Sequence, residues 1–438
     1  MRLAERCPNA YDWDGTTMLV KTGWPGNGSV TRFSPAAAER GEEGFMSTLF
    51  VVPVILMAAP QIAFQRHPID AFPAGYQVGV ADINGDGRPD VVALSTEANR
   101  VDWYENPTWK RRPVARLDRP IDLAVRDIDG DGKPEIAVAG GFYFGDSSRG
   151  GQILWLKARR SLDESWESHP IATDPVTHRL RWADLEGDGR AELVHAPIFG
   201  PGSKANLDPK PSHLWAFRPP KDPATGTWDV WKIDESLTVL HGLWVGRLDG
   251  SGWDEILTAS YEGIFRFRLR AGASPQRWEK TQIAAGAKPV DAKPGAARGS
   301  SEVALGHFDR SRDIGGSFIA AIEPWHGHEV VVYRPGAAGG LWERHVLDDT
   351  LVEGHALLVA DFDGDGQDEI VAGWRGGGGG LTLYDPADAL GRAFHKLPLD
   401  RGIAVEGAAA ADLNADGKLD LVAIAGRTNN LVWYENRP

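Results

Sequence analysis

Apolar stretches and a short acidic run follow one another in a fixed order along most of the chain. In the first repeat, the apolar stretch "YQVGVADI" leads into an acidic, glycine-containing run, and a second apolar stretch, "DVVAL", follows it. An aromatic stretch, "RVDWYEN", and a stretch that begins with tryptophan, "WKRRPVARL", complete the repeat. Short apolar or aromatic runs bounded by turn residues are typical of β-strands. The pattern therefore predicts four short antiparallel strands in each repeat.

The acidic run recurs at nearly even spacing, and its seven copies begin at Asp82, Asp127, Asp184, Arg247, His307, Asp361 and Asp412. Neighbouring copies lie 45 to 63 residues apart, which is the length of one four-stranded blade. We therefore predict an all-β fold, a seven-bladed β-propeller with four antiparallel strands in each blade.

The two ends of the repeat region predict how the ring closes. The segment "FQRHPID", residues 64–70, has the sequence of a fourth strand but precedes the first repeat. The last repeat stops at "LVWYENRP", which has the sequence of a third strand. We expect residues 64–70 to join blade seven, so that a single propeller spans residues 64–438 and its sheet edges are covered.

The segment before the repeats has the features of a targeting region. Residues 46–60 hold the only long apolar run, "STLFVVPVILMAA", which is too short for a membrane span and is typical of a secretory signal peptide. Residues 1–45 show no periodicity, and we interpret them as disordered or as a mis-assigned start before Met46. We expect an exported protein, periplasmic or secreted. The alternative is a disordered tail followed by a buried strand.

Five of the acidic runs are complete, with oxygen-bearing side chains at their first, third, fifth and ninth positions and glycine at the turn. Alternating oxygen ligands of this kind resemble a shortened EF-hand loop, and an all-oxygen set favours calcium. We predict up to five structural calcium ions, held by Asp82, Asn84, Asp86 and Asp90; by Asp127, Asp129, Asp131 and Glu135; by Asp184, Glu186, Asp188 and Glu192; by Asp361, Asp363, Asp365 and Glu369; and by Asp412, Asn414, Asp416 and Asp420.

The net charge of −14 agrees with this demand for cations. The alternative for each loop is an acidic turn held by hydrogen bonds alone. Two loops are incomplete: Arg247 stands at the first position in blade four and can neutralise the neighbouring carboxylates, and blade five offers His307 and Asp309. We expect both to be free of metal. The single cysteine, Cys7, excludes thiolate metal sites and cysteine catalysis in the propeller.

On these loops the sequence resembles the FG-GAP/VCBS-repeat family of calcium-binding propellers, over residues from about 64 to 438. The resemblance implies the fold and the calcium loops. It implies little about function, because such propellers include adhesion domains, lectins and enzymes.

The strand ends opposite the acidic loops differ from blade to blade. Six residues before each loop, the first strand carries Tyr76, Ile121, His178, His241, Ser301, His355 or Glu406. Three histidines at one register favour a shared site at the propeller axis, although a lone histidine at a strand end is more often structural. The loops between second and third strands add Tyr261, Glu262, Glu323, Trp325, His326, His328, Trp374, Arg375 and Arg427. Trp325 and Trp374 alternatively pack between blades.

One asymmetric pocket suits an enzyme better than a lectin, which would repeat its binding site in every blade. Histidine, tyrosine, glutamate and arginine side chains suit proton transfer beside a polarised carbonyl group. Neither a serine or cysteine elbow nor the paired carboxylates of a glycosidase are evident. The acidity and the lack of a basic stripe argue against nucleic acid as a partner.

Three segments, "HGLWVGRLDGSGWDEILTASYEGI", "EPWHGHEVVVYRP" and "EGHALLVADFDGDGQDEIVAGWRGGGGG", resemble the propeller domain of aldos-2-ulose dehydratase and its bacterial relatives. That family eliminates water from a keto-sugar such as anhydrofructose. The resemblance implies an active site among His178, His241, Tyr261, His326, His328 and His355. The fungal enzyme continues into cupin domains, which this sequence lacks, and we expect no isomerisation step that depends on a cupin.

The resulting hypothesis is β-elimination on a keto-sugar or related saccharide. His241 and His355, with His178 or His326, either bind one divalent cation, such as zinc, or act as a base and carbonyl polariser. The metal or Arg375 stabilises the enolate, and Tyr261 or a histidine protonates the leaving group. Substrate-binding candidates are Tyr76, Glu262, Glu323, Trp325, Trp374 and Glu406. The alternative is a non-catalytic, calcium-stabilised propeller that binds carbohydrate or protein. The oligomeric state stays open.

Overall fold

The computed structural model describes residues 62–437, except residues 249–251, 271, 273–274, 337–339 and 389, and also one strand pair nearer the N-terminus. That pair consists of β1 (Asp12–Trp13) and β2 (Met18–Leu19), which are antiparallel and belong to a separate unit, Met1–Ala58. Apart from this pair, the predictions for residues 1–45 and 46–60 fall outside the described residues. The signal peptide and the exported location therefore stay predictions.

The second unit begins at Ala59 and contains seven antiparallel sheets of four strands each, as predicted. Its strands are β3 (Ala63–Ala71), β4 (Gly75–Ala81), β5 (Asp90–Ser95), β6 (Arg100–Glu105), β7 (Lys110–Arg116), β8 (Asp122–Arg126), β9 (Glu135–Gly140), β10 (Gln152–Lys157), β11 (Glu167–Thr173), β12 (Thr177–Ala183), β13 (Glu192–Pro197), β14 (Leu214–Arg218), β15 (Asp229–Asp234), β16 (Gly242–Gly246), β17 (Glu255–Ser260), β18 (Gly263–Leu269), β19 (Trp278–Ala284), β20 (Glu302–His307), β21 (Ser317–Glu323), β22 (Glu329–Arg334), β23 (Glu343–Asp348), β24 (Gly354–Ala360), β25 (Glu369–Trp374), β26 (Gly380–Pro386), β27 (Phe394–Arg401), β28 (Val405–Ala411), β29 (Asp420–Ala425) and β30 (Asn430–Arg437).

Blades one to six are formed by four consecutive strands each, from β4–β7 to β24–β27. Blade seven consists of β28, β29 and β30, and the N-terminal strand β3 supplies its fourth strand by pairing antiparallel with β30. The predicted ring closure is confirmed, and the closing strand is one residue longer at each end than residues 64–70. Among the described residues, the helical elements are two 3₁₀ turns, Ala205–Leu207 and Arg310–Gly316. None of the described helices is long and apolar enough to cross a membrane.

Burial falls from the middle of each blade to its outer edge, and this explains the sequence patterns of the strands. Second strands such as β5, β9 and β13 are buried along their whole length, as continuous apolar runs predict. Fourth strands such as β7 and β11 are mostly exposed or half-buried. The first strands of neighbouring blades contact each other around the ring. They therefore surround the propeller axis, with the acidic loops at one end and the strand entries at the other.

Two asparagines tie neighbouring blades together at the ring closure. The Nδ2 group of Asn106 in blade one donates to the carbonyl oxygen of Leu413 in blade seven at 2.7 Å. At the equivalent position in blade seven, the Nδ2 group of Asn436 donates to the carbonyl oxygen of Phe362 in blade six at 2.6 Å. Both side chains are buried, so the bonds form where water cannot replace them.

The five complete acidic loops share a framework of hydrogen bonds that holds each turn. In blade one, a carboxylate oxygen of Asp82 accepts the N–H of Gly87 at 2.8 Å, and Asp90 accepts the N–H of Ile83 at 3.0 Å. The same two bonds recur in the other four loops. The loop therefore has its shape from its own backbone donors, and the predicted calcium ions stay a prediction.

We expect Asn436→Ala to destabilise the propeller by about 1–3 kcal/mol, because it leaves the buried carbonyl group of Phe362 and the half-buried one of Leu419 without their donor. The free energy of unfolding from urea titration measures the effect. Gln65→Ala, an exposed position on β3 of the same blade, is the matched control and should change this free energy by less than about 0.5 kcal/mol. Equal effects of the two substitutions would contradict the role assigned to Asn436.

Candidate active site

A left-handed backbone residue stands just before the inner strand in five of the blades. These residues are Ala74, Arg119, Val176, Val239 and Glu353, with φ angles between 38° and 59°. Each lies two positions before one of the side chains that sequence analysis assigned to the axis, namely Tyr76, Ile121, His178, His241 and His355. Valine rarely adopts a positive φ, so the surrounding fold holds these turns in place. The turn directs the chain into the first strand and toward the axis.

Tyr76, His178 and His355 meet at the axis although they belong to blades one, three and six. The hydroxyl group of Tyr76 lies 3.1 Å from Nε2 of His178 and 3.0 Å from Nε2 of His355. His178 and His355 are each 1% exposed. The prediction that one strand register forms one shared group of side chains therefore agrees with the geometry.

His241 and His326 complete what we call the axial cluster: Tyr76, His178, His241, His326 and His355. The Nε2 atoms of His241 and His326 are 2.9 Å apart, and the ring of His241 lies 4.6 Å from that of His178. His326 comes from the loop after β21 and has a φ of 48°, again the left-handed region. It is half-buried, whereas His241 is fully buried, so the cluster is reached from the side of His326.

Two ion pairs contact the axial cluster, one at His241 and the other at His326. The carboxylate of Glu302 lies 3.0 Å from Nδ1 of His241 and accepts a hydrogen bond of 2.7 Å from Arg179. On the other side, Arg375 donates to Glu406 at 2.8 Å and to Nδ1 of His326 at 3.2 Å. The sequence patterns did not single out Arg179 and Glu302, because they stand among the residues of two otherwise ordinary inner strands.

Burial sets the protonation of the cluster. It lowers the pKa of His178, His326 and His355 well below the usual histidine value, and the nearby arginines lower it further. Burial also lowers the pKa of His241, although Glu302 opposes the shift. The pKa of Tyr76 is raised by burial to about 12. At neutral pH the site therefore holds four neutral imidazoles and a protonated phenol.

One assignment of protons satisfies nearly every contact in the cluster. Nδ1–H of His241 donates to the carbonyl oxygen of Ser301 at 3.1 Å, and Nδ1–H of His355 donates to that of Glu406 at 2.7 Å. Their Nε2 atoms are then acceptors, for His326 and Tyr76 respectively. The one ring nitrogen of the cluster that is buried without a partner is Nδ1 of His178.

Three of these imidazoles also fit a metal ion. One ring nitrogen from each of His241, His326 and His355 lies within 4.8 Å of the others. Carbonyl groups hold Nδ1–H of His241 and His355, the outer contact that metal-binding histidines usually make. If His326 joined them through Nε2, its proton would stand on Nδ1, and it would lose the hydrogen bond from Arg375. Three neutral imidazoles with an open fourth position suit zinc, which would polarise a carbonyl oxygen bound there.

Aromatic side chains form one wall beside the cluster. Trp325 stacks on His326, with ring centroids 4.6 Å apart, and lies parallel to Phe144 at 6.3 Å. Phe142 faces the ring of His178 at 5.6 Å. Phe142 and Phe144 come from the long insertion in blade two, between its second and third strands. Phe144 is 39% exposed, so this wall is open to a ligand.

Two cavities adjoin the cluster from opposite directions. A cavity of about 460 Å³ runs along the axis between the first strands, and its lining includes Arg179, Glu302 and His355. A second cavity, of about 360 Å³, lies at the strand entries beside Tyr76 and is bordered by Glu97, Arg119 and Arg427. Either volume is large enough for one sugar ring.

Several predicted site residues lie apart from the axial cluster. The hydroxyl group of Tyr261 points to the carbonyl oxygen of Gly295 at 3.4 Å, with Arg298 over its ring. Glu262 accepts hydrogen bonds from the backbone N–H and hydroxyl group of Thr238. His328 is exposed and also lies apart from the cluster. The ring of Trp374 packs against Gly380, in the space that a side chain at that position would fill.

Glu323 was predicted to bind substrate, and the structure places it inside blade five. It is 0% exposed, accepts hydrogen bonds from Ser300 and Tyr333, and forms an ion pair with Arg344. Its carboxylate is occupied by these partners, which fix the fourth strand of that blade. Of the residues assigned to substrate binding, Tyr76, Glu406 and Trp325 lie in or beside the cluster.

Comparisons with known proteins confirm both predicted resemblances. Residues 150–335 match the family model for the β-propeller domain of aldos-2-ulose dehydratase, and residues 82–138 and 361–423 match the FG-GAP-like repeat. The curated aldos-2-ulose dehydratase of Phanerodontia chrysosporium is 25% identical over 385 residues, 80% of this chain. The chain spans 40% of the length of that relative.

The similarity to solved structures concerns the fold alone, because the sequence identity is low. BBS1N in complex with ARL6DN is 14% identical, with a TM-score of 0.54 over 86% of this chain and 97% of that one. An Agrocybe aegerita protein that recognises non-reducing terminal N-acetylglucosamine is also 14% identical, with a TM-score of 0.47 over 75% of this chain and 81% of that one.

The buried neutral imidazoles predict a loss of stability in acid. The unfolded chain binds a proton at each histidine below about pH 6.5, whereas the folded chain does not, so the free energy of unfolding falls as the pH drops through that value. His178→Gln should remove one such proton. Between pH 7 and pH 5.5, the free energy of unfolding of this variant should fall by about 1 kcal/mol less than that of the original protein.

Urea titrations at the two pH values measure this difference. Gln65→Ala, which changes an exposed position and removes no titratable group, is the control and should keep the original pH dependence. If His178→Gln and the original protein lost equal stability between these pH values, His178 would carry a proton in the folded protein, and burial would not control its pKa.

Proposed function

We propose that the protein is a carbohydrate-active lyase that performs β-elimination on a keto-sugar or related saccharide at the axial cluster. The observation that carries the proposal is the convergence of neutral imidazoles, a phenol and two ion-paired arginines at one end of the axis. The match to the aldos-2-ulose dehydratase propeller domain supports a carbohydrate-related role, and the matched residues include His178, His241 and His326.

His241 is the residue best placed to act as the base. Its Nε2 atom faces the cluster and accepts the hydrogen bond from His326, which the substrate would have to displace. The carboxylate of Glu302 on its Nδ1 side holds the ring and stabilises the imidazolium that forms. The pKa of Glu302 is kept below its usual value by Arg179 and His241, against the effect of burial, so this carboxylate stays ionised. His241 takes the proton from the carbon next to the ketone, and the electrons of that bond pass into an enolate.

The enolate then expels the substituent on the next carbon. Arg375, a cation beside His326 whose side chain is only 16% exposed, stabilises the negative oxygen before the substituent leaves. Tyr76 supplies the proton to the leaving group, and the proton on His241 then passes to the Tyr76 phenolate, directly or through water, so that both groups are restored. We assign the acid role to Tyr76 rather than to Tyr261, because the hydroxyl group of Tyr261 is turned toward Gly295. A phenol with a pKa of about 12 keeps its proton at neutral pH until the leaving group needs it.

The aromatic wall suits the sugar ring itself. Trp325 and Phe144 present parallel faces at the open side of the cluster, and the apolar face of a sugar ring stacks on such surfaces. A substrate held there has its polar groups toward His326 and Arg375. Zinc held by His241, His326 and His355 is the alternative means of polarising the ketone, and removal of zinc with a chelator separates the two.

The test is the ultraviolet absorbance of the protein with a panel of keto-sugars and uronate-containing polysaccharides. Elimination creates a conjugated enone or an unsaturated uronide, which absorbs where the substrate does not. We expect His241→Gln to lower kcat about 10²- to 10⁴-fold because the base is lost. Glu302→Gln should lower kcat less, since the ring keeps its place but the imidazolium loses its counter-charge.

His395→Gln is the control for general effects of histidine replacement and should keep full activity. The assay is repeated after 1,10-phenanthroline, which removes zinc but leaves calcium. If activity survives this treatment, the Nε2 atoms of the cluster serve in proton transfer. If activity is lost and added zinc restores it, three of the histidines bind a metal ion. A flat absorbance over the whole panel, with folded protein, would favour the alternative of a binding propeller.

A further inference from the structure

One position on the third strand is equivalent in all seven blades, and in blades two to four its side chain reaches the acidic loop. We call it the facing position. It is found from the pairing of the second and third strands. In blade one Val91 pairs with Tyr104, and in blade two Ile136 pairs with Leu156. The position is the residue that directly follows Tyr104 or Leu156, or their equivalent in another blade. In blades one to seven this facing position holds Glu105, Lys157, Arg218, Arg268, Arg334, Asp385 and Glu435. It is acidic in blades one, six and seven and basic in blades two to five.

We propose that blades two and three do not take a calcium ion, although their loops are complete, because Lys157 and Arg218 occupy the place of the cation. The other three complete loops, in blades six, seven and one, keep the calcium site. The protein then binds three calcium ions instead of the five that the loop sequences alone predict.

In blade two, the ammonium group of Lys157 reaches three of the four predicted ligands. It bonds to Asp129, lies 2.9 Å from a carboxylate oxygen of Asp131, and lies 3.3 Å from Oε1 of Glu135. A calcium ion needs these same oxygen atoms at about 2.3–2.6 Å. The ammonium group of Lys157 therefore offsets the negative charge of the loop and also occupies the place that a calcium ion would take.

In blade three, the guanidinium group of Arg218 makes the equivalent contacts. It bonds to Glu186, lies 2.6 Å from Asp188, and lies 3.6 Å from Oε1 of Glu192. Two of these carboxylates are bonded by different nitrogens of the same guanidinium group, which makes the pairing strong. Blade four extends the rule, since Arg268 and its neighbour Arg266 both pair with Glu255, the ninth residue of that loop.

Blade six shows the opposite arrangement. One carboxylate oxygen from each of Asp361, Asp363 and Glu369 lies within 4.8 Å of the others, and the same is true of the equivalent carboxylates of blade two. The two loops differ in the residue at the facing position, which is Asp385 in blade six and Lys157 in blade two. Oε1 of Glu369 is buried without a hydrogen-bond partner, and Asp385 at the facing position adds another negative charge.

Oε1 of Glu192 in blade three is also buried without a hydrogen bond, but there the guanidinium group of Arg218 lies 3.6 Å away and supplies a positive charge. In blade six the facing residue is acidic, so a bound cation would be needed to offset the buried carboxylate. The loop of blade six is therefore open to calcium, whereas Lys157 and Arg218 bond to the ligand carboxylates of blades two and three.

The three retained loops are neighbours around the ring and lie at its closure. The two buried asparagines join the same loops: Asn106 reaches Leu413 in the loop of blade seven, and Asn436 reaches Phe362 in the loop of blade six. Calcium would therefore act where β3 pairs with β30, while blades two to four carry their own cations.

The test is the calcium content of the full chain, stripped with EGTA, reloaded with calcium, desalted and measured by plasma mass spectrometry. We expect three calcium ions per chain. Lys157→Gln and Arg218→Gln should each raise the number by one, and Asp385→Lys should lower it by one. Lys133→Gln is the matched control, since it removes the same charge from an exposed position of the blade-two loop without opening the cation place; it should leave three ions.

Five calcium ions in the original protein would overturn the proposal, and so would three ions in both Lys157→Gln and Arg218→Gln when circular dichroism shows them folded. An increase in Lys133→Gln equal to that in Lys157→Gln would also overturn it, because net charge would then explain the effect. These counts involve no enzymatic activity, so they stand or fall independently of the proposed lyase function.

Discussion

The pairing of β3 with β30 is the contact on which the rest of this structure depends. It joins the beginning of the propeller to its end, so that the seven first strands are held around one axis. Because all first strands run in the same direction relative to that axis, one end collects the acidic loops and the other collects one side chain from each blade. A site built from Tyr76, His178, His241 and His355 exists only while the ring is closed.

Buried charge is offset differently at the two ends of the axis. At the loop end, an attached ammonium or guanidinium group offsets the carboxylates of blades two and three. At the other end, burial keeps the imidazoles neutral, and the charges beside them come in pairs, Arg179 with Glu302 and Arg375 with Glu406. Neutral imidazoles next to fixed cations are suited to taking a proton from carbon and stabilising the anion that results.

Much of this arrangement could be predicted from the sequence, because the repeat carries positional information. The spacing of the loops predicted seven blades, and the register six residues before each loop predicted that His178, His241 and His355 would meet. The supporting residues were not predictable in this way. Arg179 and Glu302 look like ordinary strand residues in the sequence. Glu323 was assigned to substrate binding from its place at the end of a second strand, and that position does not reveal its pairing with Tyr333 and Arg344 on the next two strands. The blocking role of Lys157 depends on pairing between strands, which the loop sequence alone does not reveal.

The most direct test of a saccharide site at the axial cluster is a crystal structure of the protein with a bound, unreactive sugar, such as the reduced, ketone-free analogue of anhydrofructose. We expect the sugar ring to lie against Trp325 and Phe144, with its oxygens within hydrogen-bond distance of His241, His326 or Tyr76. A sugar found only at the loop end of the axis, or on the outer strands of the blades, would contradict the assignment of the site.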